Sequence, residues 1–191
     1  MPTDTRGCLV DAATGLLDSG GVAAVTLREV GRRAGVSHNA PYKHFPSKEA
    51  LLAAIAAREL DARVAFLRAT VARAGSPRDV LRAALRGYIA AARQHPARFK
   101  LVYGAWTTGT PELTEAATAA HATLIDIVTA AQDAGDVPAG DPERMAALVR
   151  ALAHGAADLA AAGHLRPDGK GHAGPADLVD DLLEYLGRAA R

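Results

Sequence analysis

Residues 26–48, TLREVGRRAGVSHNAPYKHFPSK, decide how this chain folds. Thr26 and Glu29 make a T-x-x-E pattern, a capping box in which two side chains satisfy free amides at a helix start. Leu27, Val30 and Ala34 then recur at helical spacing and give one apolar face, with Arg28, Arg32 and Arg33 largely off it. Gly35 is the residue best suited to the left-handed conformation that ends a helix. Val36 plugs the turn, and Ser37 is a good N-cap for the next helix.

A second helix is expected over His38–Phe45, anchored by Phe45 and the ring of Tyr42 and presenting His38, Asn39, Lys43 and His44. Pro41 disturbs its first turn through a missing N–H and a bulky ring, which moves the start toward Asn39. Pro46 stops the helix. Ser47 caps the third, with Lys48 and Glu49 in its first turn. Two short helices about a glycine turn form a helix-turn-helix, in which one helix enters the major groove of DNA and the other braces it. Charge agrees locally: Arg28, Arg32, Arg33, Lys43 and Lys48 face a single acid, Glu29, whereas the whole chain carries a net +1. A basic patch on a nearly neutral protein is the footprint of phosphate contact.

Outward from this segment the period remains helical. Leu9, Ala12, Ala13, Leu16 and Leu17 predict an amphipathic first helix ending at Gly20-Gly21, with Val22 and Val25 leading into the Thr26 cap. Leu51, Ile55, Leu60, Val64, Leu67 and Val71 mark one long helix that breaks at Gly75. Ser76-Pro77 starts a fifth, with Leu81, Leu85, Tyr88, Ile89 and Ala92 on one stripe. His95-Pro96 precedes a short helix around Phe99, Leu101, Val102 and Tyr103, and then comes a loop, 106–111. Leu113, His121, Leu124, Ile125 and Val128 make a seventh that stops near Gly135. Asp141-Pro142 opens an eighth, with Met145, Leu148, Leu152 and Leu159. GHLRPDGKGHAGP, residues 163–175, reads as a flexible connector. The last helix runs from about Ala176, setting Leu178, Val179, Leu182, Leu183 and Leu186 against Asp177, Asp180, Asp181 and Glu184. No stretch alternates with period two, so the expectation is an all-α chain of about nine helices: a three-helix head (residues 1–50) joined by a long fourth helix to a C-terminal helical bundle (51–191).

Bulk composition narrows the class. The chain has 191 residues, 49% hydrophobic and 23% charged, which is globular and long enough for a sizeable core. The single cysteine, Cys8, excludes an internal disulfide framework and fits a reducing cytosol. No apolar run reaches the roughly 18 residues of a membrane span, and no signal-peptide core is visible, so a cytoplasmic location is expected. No phosphate loop, dinucleotide fingerprint, H-E-x-x-H, G-x-S-x-G or cysteine-rich zinc pattern occurs. The seven histidines are scattered. Neither an enzyme, a metal nor a cofactor is expected.

The segment VTLREVGRRAGVSHNAPYKHFPSKEALL (residues 25–52) closely resembles the DNA-binding head of TetR/AcrR-type bacterial regulators: T-x-R, G-V-S, Y-x-H-F and S-K-E-x-L stand at the family's spacing. YIAAARQHPARFKLVYG and, later, ALVRALAHGAADLAAAGHL resemble the ligand-binding domain known for a Trp-His-Gly signature. Ala153 stands where the tryptophan would be, before His154 and Gly155. That departure bears on any role of the tryptophan, not on the fold. The resemblance implies a homodimer on a near-palindromic operator, with repression relieved by a small molecule in the C-terminal domain. Two reading helices on one duplex face must then stand about 34–36 Å apart.

Carried over residue by residue, the pattern assigns His38, Asn39 and Lys43 to base edges. Thr26, Arg28, Tyr42, His44 and Lys48 are assigned to phosphates. Ser37 completes the DNA-facing set. For an apolar or amphipathic effector, the candidate lining is Tyr88, Phe99, Tyr103, Trp106, His121, His154 and Asp158, apolar walls with a few polar handles. The last two helices are the expected dimer interface, since the Met145–Leu159 and Leu178–Leu186 stripes fit a four-helix bundle with their symmetry mates; packing of both stripes within the monomer is the competing arrangement. The alternative function is an effector-independent DNA-binding regulator whose C-terminal domain serves only dimerisation or a protein partner.

Overall fold

The computed structural model describes residues 4–73, 75–104, 106 and 109–190. Among them lie nine α-helices and no strand: α1 Thr5–Ala24, α2 Leu27–Arg33, α3 Ala40–His44, α4 Lys48–Arg73, α5 Pro77–Gln94, α6 Pro96–Tyr103, α7 Pro111–Asp133, α8 Pro142–Ala161 and α9 Pro175–Ala189. The last five all begin with proline, because its fixed φ and absent N–H cost nothing in a first turn. The part of the 106–111 loop at Thr107 and Thr108 lies outside the described residues.

Two compact units form. The first comprises Met1–Ala62 with His95–Thr118, and the second Arg63–Gln94 with Ala119–Arg191. In the first, α1 packs on α2, α3 and α6. Its core is Leu9, Val10, Ala13, Leu17, Val25, Val30, Phe45, Leu51 and Ile55, with Ala97 and Leu101 of α6 packed against it. In the second, α5 packs on α8 and α9, and α8 on α9. Leu81, Val149, Ala153, Val179 and Leu183 are fully buried there. Asp180 of α9 receives both Arg82 (3.2 Å) and Arg86 of α5.

The α1 end differs from the sequence expectation. Gly21 takes φ 67°, ψ −170°, which breaks the helix there, yet a further turn continues to Ala24. The turn leaves Val22 43% exposed and sends Val25 fully into the core. The first unit is also tied by charge. Arg98 of α6 donates from Nε (2.9 Å) and Nη2 (2.5 Å) to Asp18 of α1, and from Nη1 (3.2 Å) to Glu59 of α4. The Arg98 guanidinium, first through these hydrogen bonds, holds the Asp18 carboxyl below its ordinary range, and Asp18 in turn raises Arg98.

Candidate nucleic-acid interface

Thr26 caps α2 as the pattern predicts: the Glu29 N–H donates to its Oγ1 at 3.2 Å. The reciprocal half of the capping box is absent among the described contacts. Glu29 is instead gripped by Arg32, whose Nε and Nη2 donate to it at 2.9 and 2.6 Å. A charge-assisted fork outcompetes a single amide for the same carboxylate. The hydrogen bond from Arg32 lowers the Glu29 pKa and raises that of Arg32. At the other end Gly35 adopts φ 67°. The Val36 N–H returns to the Gly31 carbonyl (3.1 Å) and the Gly35 N–H to Arg32 (3.3 Å), closing a Schellman cap.

The second helix begins at Ala40, just past Asn39, the late start that Pro41 predicts, and spans five residues. Ser37 contributes its carbonyl, which accepts from the Ala40 N–H at 3.0 Å, and Asn39 at the cap makes no side-chain hydrogen bond. The cause is Pro41, which is buried in the first turn where it lacks only a donor that had no partner. Its ring lies over Gly31 of α2: a Cβ there would stand 2.8 Å from Pro41 Cγ. Gly31 is thus a residue that sequence reading missed. Its signal was a glycine inside a seven-residue helix, where it costs about 1 kcal/mol without a packing reason. Tyr42 is not an anchor, since it is 51% exposed while Phe45 is 3%. Pro41 and Phe45 hold the helix in place.

Every polar side chain of this segment is left outside: Ser37, His38, Asn39, Tyr42, Lys43 and His44 are exposed, and Lys48 is half-buried. The His38 and Tyr42 rings meet edge-on, 5.9 Å between centroids. Thr26, Arg28 and His38 are brought together with Glu29, Arg32 and Val36 around a recess of about 490 Å³. Of the five basic residues, Arg32 is neutralised by Glu29, and Arg33 reaches back to α1, where a Cβ on Gly15 would lie 3.1 Å from its Nη2. Arg28, Lys43 and Lys48 engage no carboxylate among the described residues.

The candidate effector residues divide between the units. In the second, Tyr88 Oη lies 2.8 Å from His154 Nδ1, and His154 Nε2 lies 3.6 Å from Asp158. The Arg63 guanidinium sits 4.9 Å from the Tyr88 ring centroid. His121 pairs with Glu143 at 2.8 Å. In the first, the Phe99 and Tyr103 rings are 4.7 Å apart, and the Trp106 Nε1–H donates to the Val102 carbonyl at 3.4 Å. Ala153, at the signature tryptophan's position, is fully buried. Among the described residues no group of three or more His, Cys, Asp or Glu side chains is placed to hold a metal, and no helix is long and apolar enough to cross a membrane.

A two-helix reading motif with an outward basic face, followed by an all-helical second unit, defines a DNA-binding transcription regulator. Residues 9–55 match the family of bacterial regulatory proteins of the tetR type, and residues 81–186 match the tetracyclin repressor-like C-terminal domain. The chain belongs to the TetR family, and is a non-enzymatic regulator. A protein of unknown function from Rhodococcus sp. RHA1 is 32% identical, with 99% of this chain and 98% of that one covered and a TM-score of 0.84. A TetR/AcrR-family regulator from Thermobifida fusca YX-ER1 shares the fold at 21% identity, covering 99% and 100%, with a TM-score of 0.71. FadR from Bacillus subtilis, solved in complex with stearoyl-CoA, shares it at 14% identity, covering 94% and 96%, with a TM-score of 0.72. No curated protein matches the chain.

Proposed function

We propose that this regulator is a homodimeric repressor that leaves a near-palindromic operator when a small apolar or amphipathic molecule enters its C-terminal domain. The observation that carries the DNA half is the division of residues 38–45: it commits Pro41 and Phe45 to the interior and keeps His38, Asn39, Tyr42, Lys43 and His44 outside. A short segment with that many solvated polar groups around a five-residue helix has little to gain from folding unless the face meets a partner, and the cations beside it favour phosphate. Asn39 can pair bidentately with adenine, while His38 and Lys43 reach base edges. Thr26, Arg28, Ser37, Tyr42, His44 and Lys48 hold the backbone.

The dimer half rests on Leu148 and Leu159 of α8 and Tyr185 of α9, which are 51%, 48% and 64% exposed on the two helices that the interface would use. For the effector, the FadR complex with stearoyl-CoA supports a small organic molecule as the class. Tyr88, His154 and Asp158 are the polar handles of this reading, with His121, Phe99, Tyr103 and Trp106 as further lining. The proposed location is the cytoplasm, where operator and effector meet.

The test is a titration of operator, selected from random duplexes, against a scrambled duplex over a salt series. Lys48→Ala should weaken both and lower the salt slope by about one. Asn39→Ala should cost on the order of 1–3 kcal/mol on the operator alone. Equal loss on both duplexes for Asn39→Ala removes it as a base reader.

A further inference from the structure

In the first unit, the end of α1 and one side of α6 enclose a recess of about 400 Å³. The break at Gly21, with φ 67°, shapes one rim: it turns Val22 outward, 43% exposed, where an unbroken α1 would have run on. Pro96 and Ala97, at the start of α6, form the opposite wall, and Leu17 closes the floor, fully buried. Solvent therefore meets apolar surface in a recess, the condition under which burying a small molecule is favourable. The walls are also fixed in advance, because Arg98 pins α6 to Asp18 of α1 and to Glu59 of α4.

Charge decides what fits. α1 and α6 carry five charged side chains between them, and four are already paired: Arg6 with Glu112, Asp11 with Arg58, and Asp18 with Arg98. The fifth, Lys100, is the one charged residue in the lining, and no hydrogen bond or ion pair among the described residues engages it. His95, at the N-cap of α6, stands outside the lining. A lysine so placed adds its hydrocarbon stem to the wall and keeps its ammonium at the rim. The recess thus joins apolar walls to one unneutralised cation.

We propose that this recess is a binding site for a small amphiphilic anion, an alkanoate whose chain lies over Leu17 between Val22 and Ala97 and whose carboxylate pairs with Lys100. The volume falls within the range of small-molecule sites. The cation at the rim repels an alkylammonium of the same length and gives a neutral alcohol no ion pair. None of the effector candidates legible in the sequence lines this recess, and it belongs to the unit that carries the reading helix. Binding is read without DNA, so its failure leaves the regulatory reading untouched.

The experiment follows the methyl resonances of Val22 and Leu101, a further lining residue, in the full-length protein. Octanoate, 1-octanol and n-octylammonium are titrated separately at neutral pH and low salt. Octanoate should shift both methyls and bind tightest, exceeding octanol by roughly fivefold, the worth of one solvated ion pair at its upper range, with octylammonium weakest. Lys100→Gln should erase the difference between octanoate and octanol, and Lys100→Glu should put octylammonium first. Val22→Asn, at an exposed position, should weaken octanoate and octanol together, as followed at Leu101. Methyls that stay still while octanoate is added, or an order of affinities that survives both Lys100 variants, overturn the assignment. Shifts that track protein concentration in place of ligand would mark the recess as a contact between copies of the chain and overturn it too.

Discussion

A Cβ at position 31 would press on the ring of Pro41, so the spacing between the two helices of the motif is set by a glycine and a proline facing each other. Gly31→Ala should favour the isolated helix by about 1 kcal/mol, but overpacking against a rigid ring costs about 1–3 kcal/mol. We expect net destabilisation in urea unfolding and weaker operator binding, both recovered when Pro41→Ala is added; a single variant at wild-type stability would remove Pro41 as the constraint. At this scale the sequence was partly legible. The Thr26 cap could be read, because it is a local hydrogen bond. The loss of the reciprocal bond could not, because Arg32 competes for Glu29 and only geometry decides between the two. Tyr42 and Pro41 exchanged roles for a similar reason: a ring that looks apolar in sequence is exposed, and a residue that looks like a defect is buried.

Helices are held to one another by fewer, stronger contacts, of which Arg98 is the clearest. It ties α6 to α1 and α4 with a bidentate grip on Asp18. Because the folded-state pKa of Asp18 is lowered, its contribution is complete well above the ordinary value near 3.8 and is lost as pH falls through the folded value. Asp18→Asn should therefore reduce stability at neutral pH by roughly 0.5–1 kcal/mol, a figure limited by the partial exposure of both partners. The gap from wild type should narrow once pH drops below about 4. Urea midpoints at pH 7 and pH 3 check this, and an equal gap at both would refute it. Helix existence was readable throughout, because apolar period, cap and proline agree. The α1 break at Gly21 reads in sequence as an end, since nothing in a Gly-Gly pair says whether the chain resumes the helix beyond it.

On the scale of the whole molecule, the exposed Leu148, Leu159 and Tyr185 carry the expectation of self-association. Leu148→Asp should shift sedimentation velocity from dimer toward monomer at micromolar concentration, with operator affinity falling in step, since one head alone loses half of its site. A variant that stays dimeric would return α8 and α9 to purely internal packing. Which helices share a core is the least legible level. The Phe99 and Leu101 stripe of α6 fits many neighbours, and periodicity names a buried face without naming what covers it. The effector candidates show this: Phe99, Tyr103 and Trp106 belong to the first unit and Tyr88, His121, His154 and Asp158 to the second, a division that no period in the sequence announces.

The first unit is built from two stretches of chain, residues up to Ala62 and a return visit from His95 to Thr118. A graft of this reading head onto another sensor through a single cut would divide that unit. Here a transplant ending at Ala62 would leave behind α6, and with it Ala97, Leu101 and the guanidinium that neutralises Asp18. A hybrid made that way should express poorly or melt early, whereas one that carries both stretches should keep its grip on the original operator.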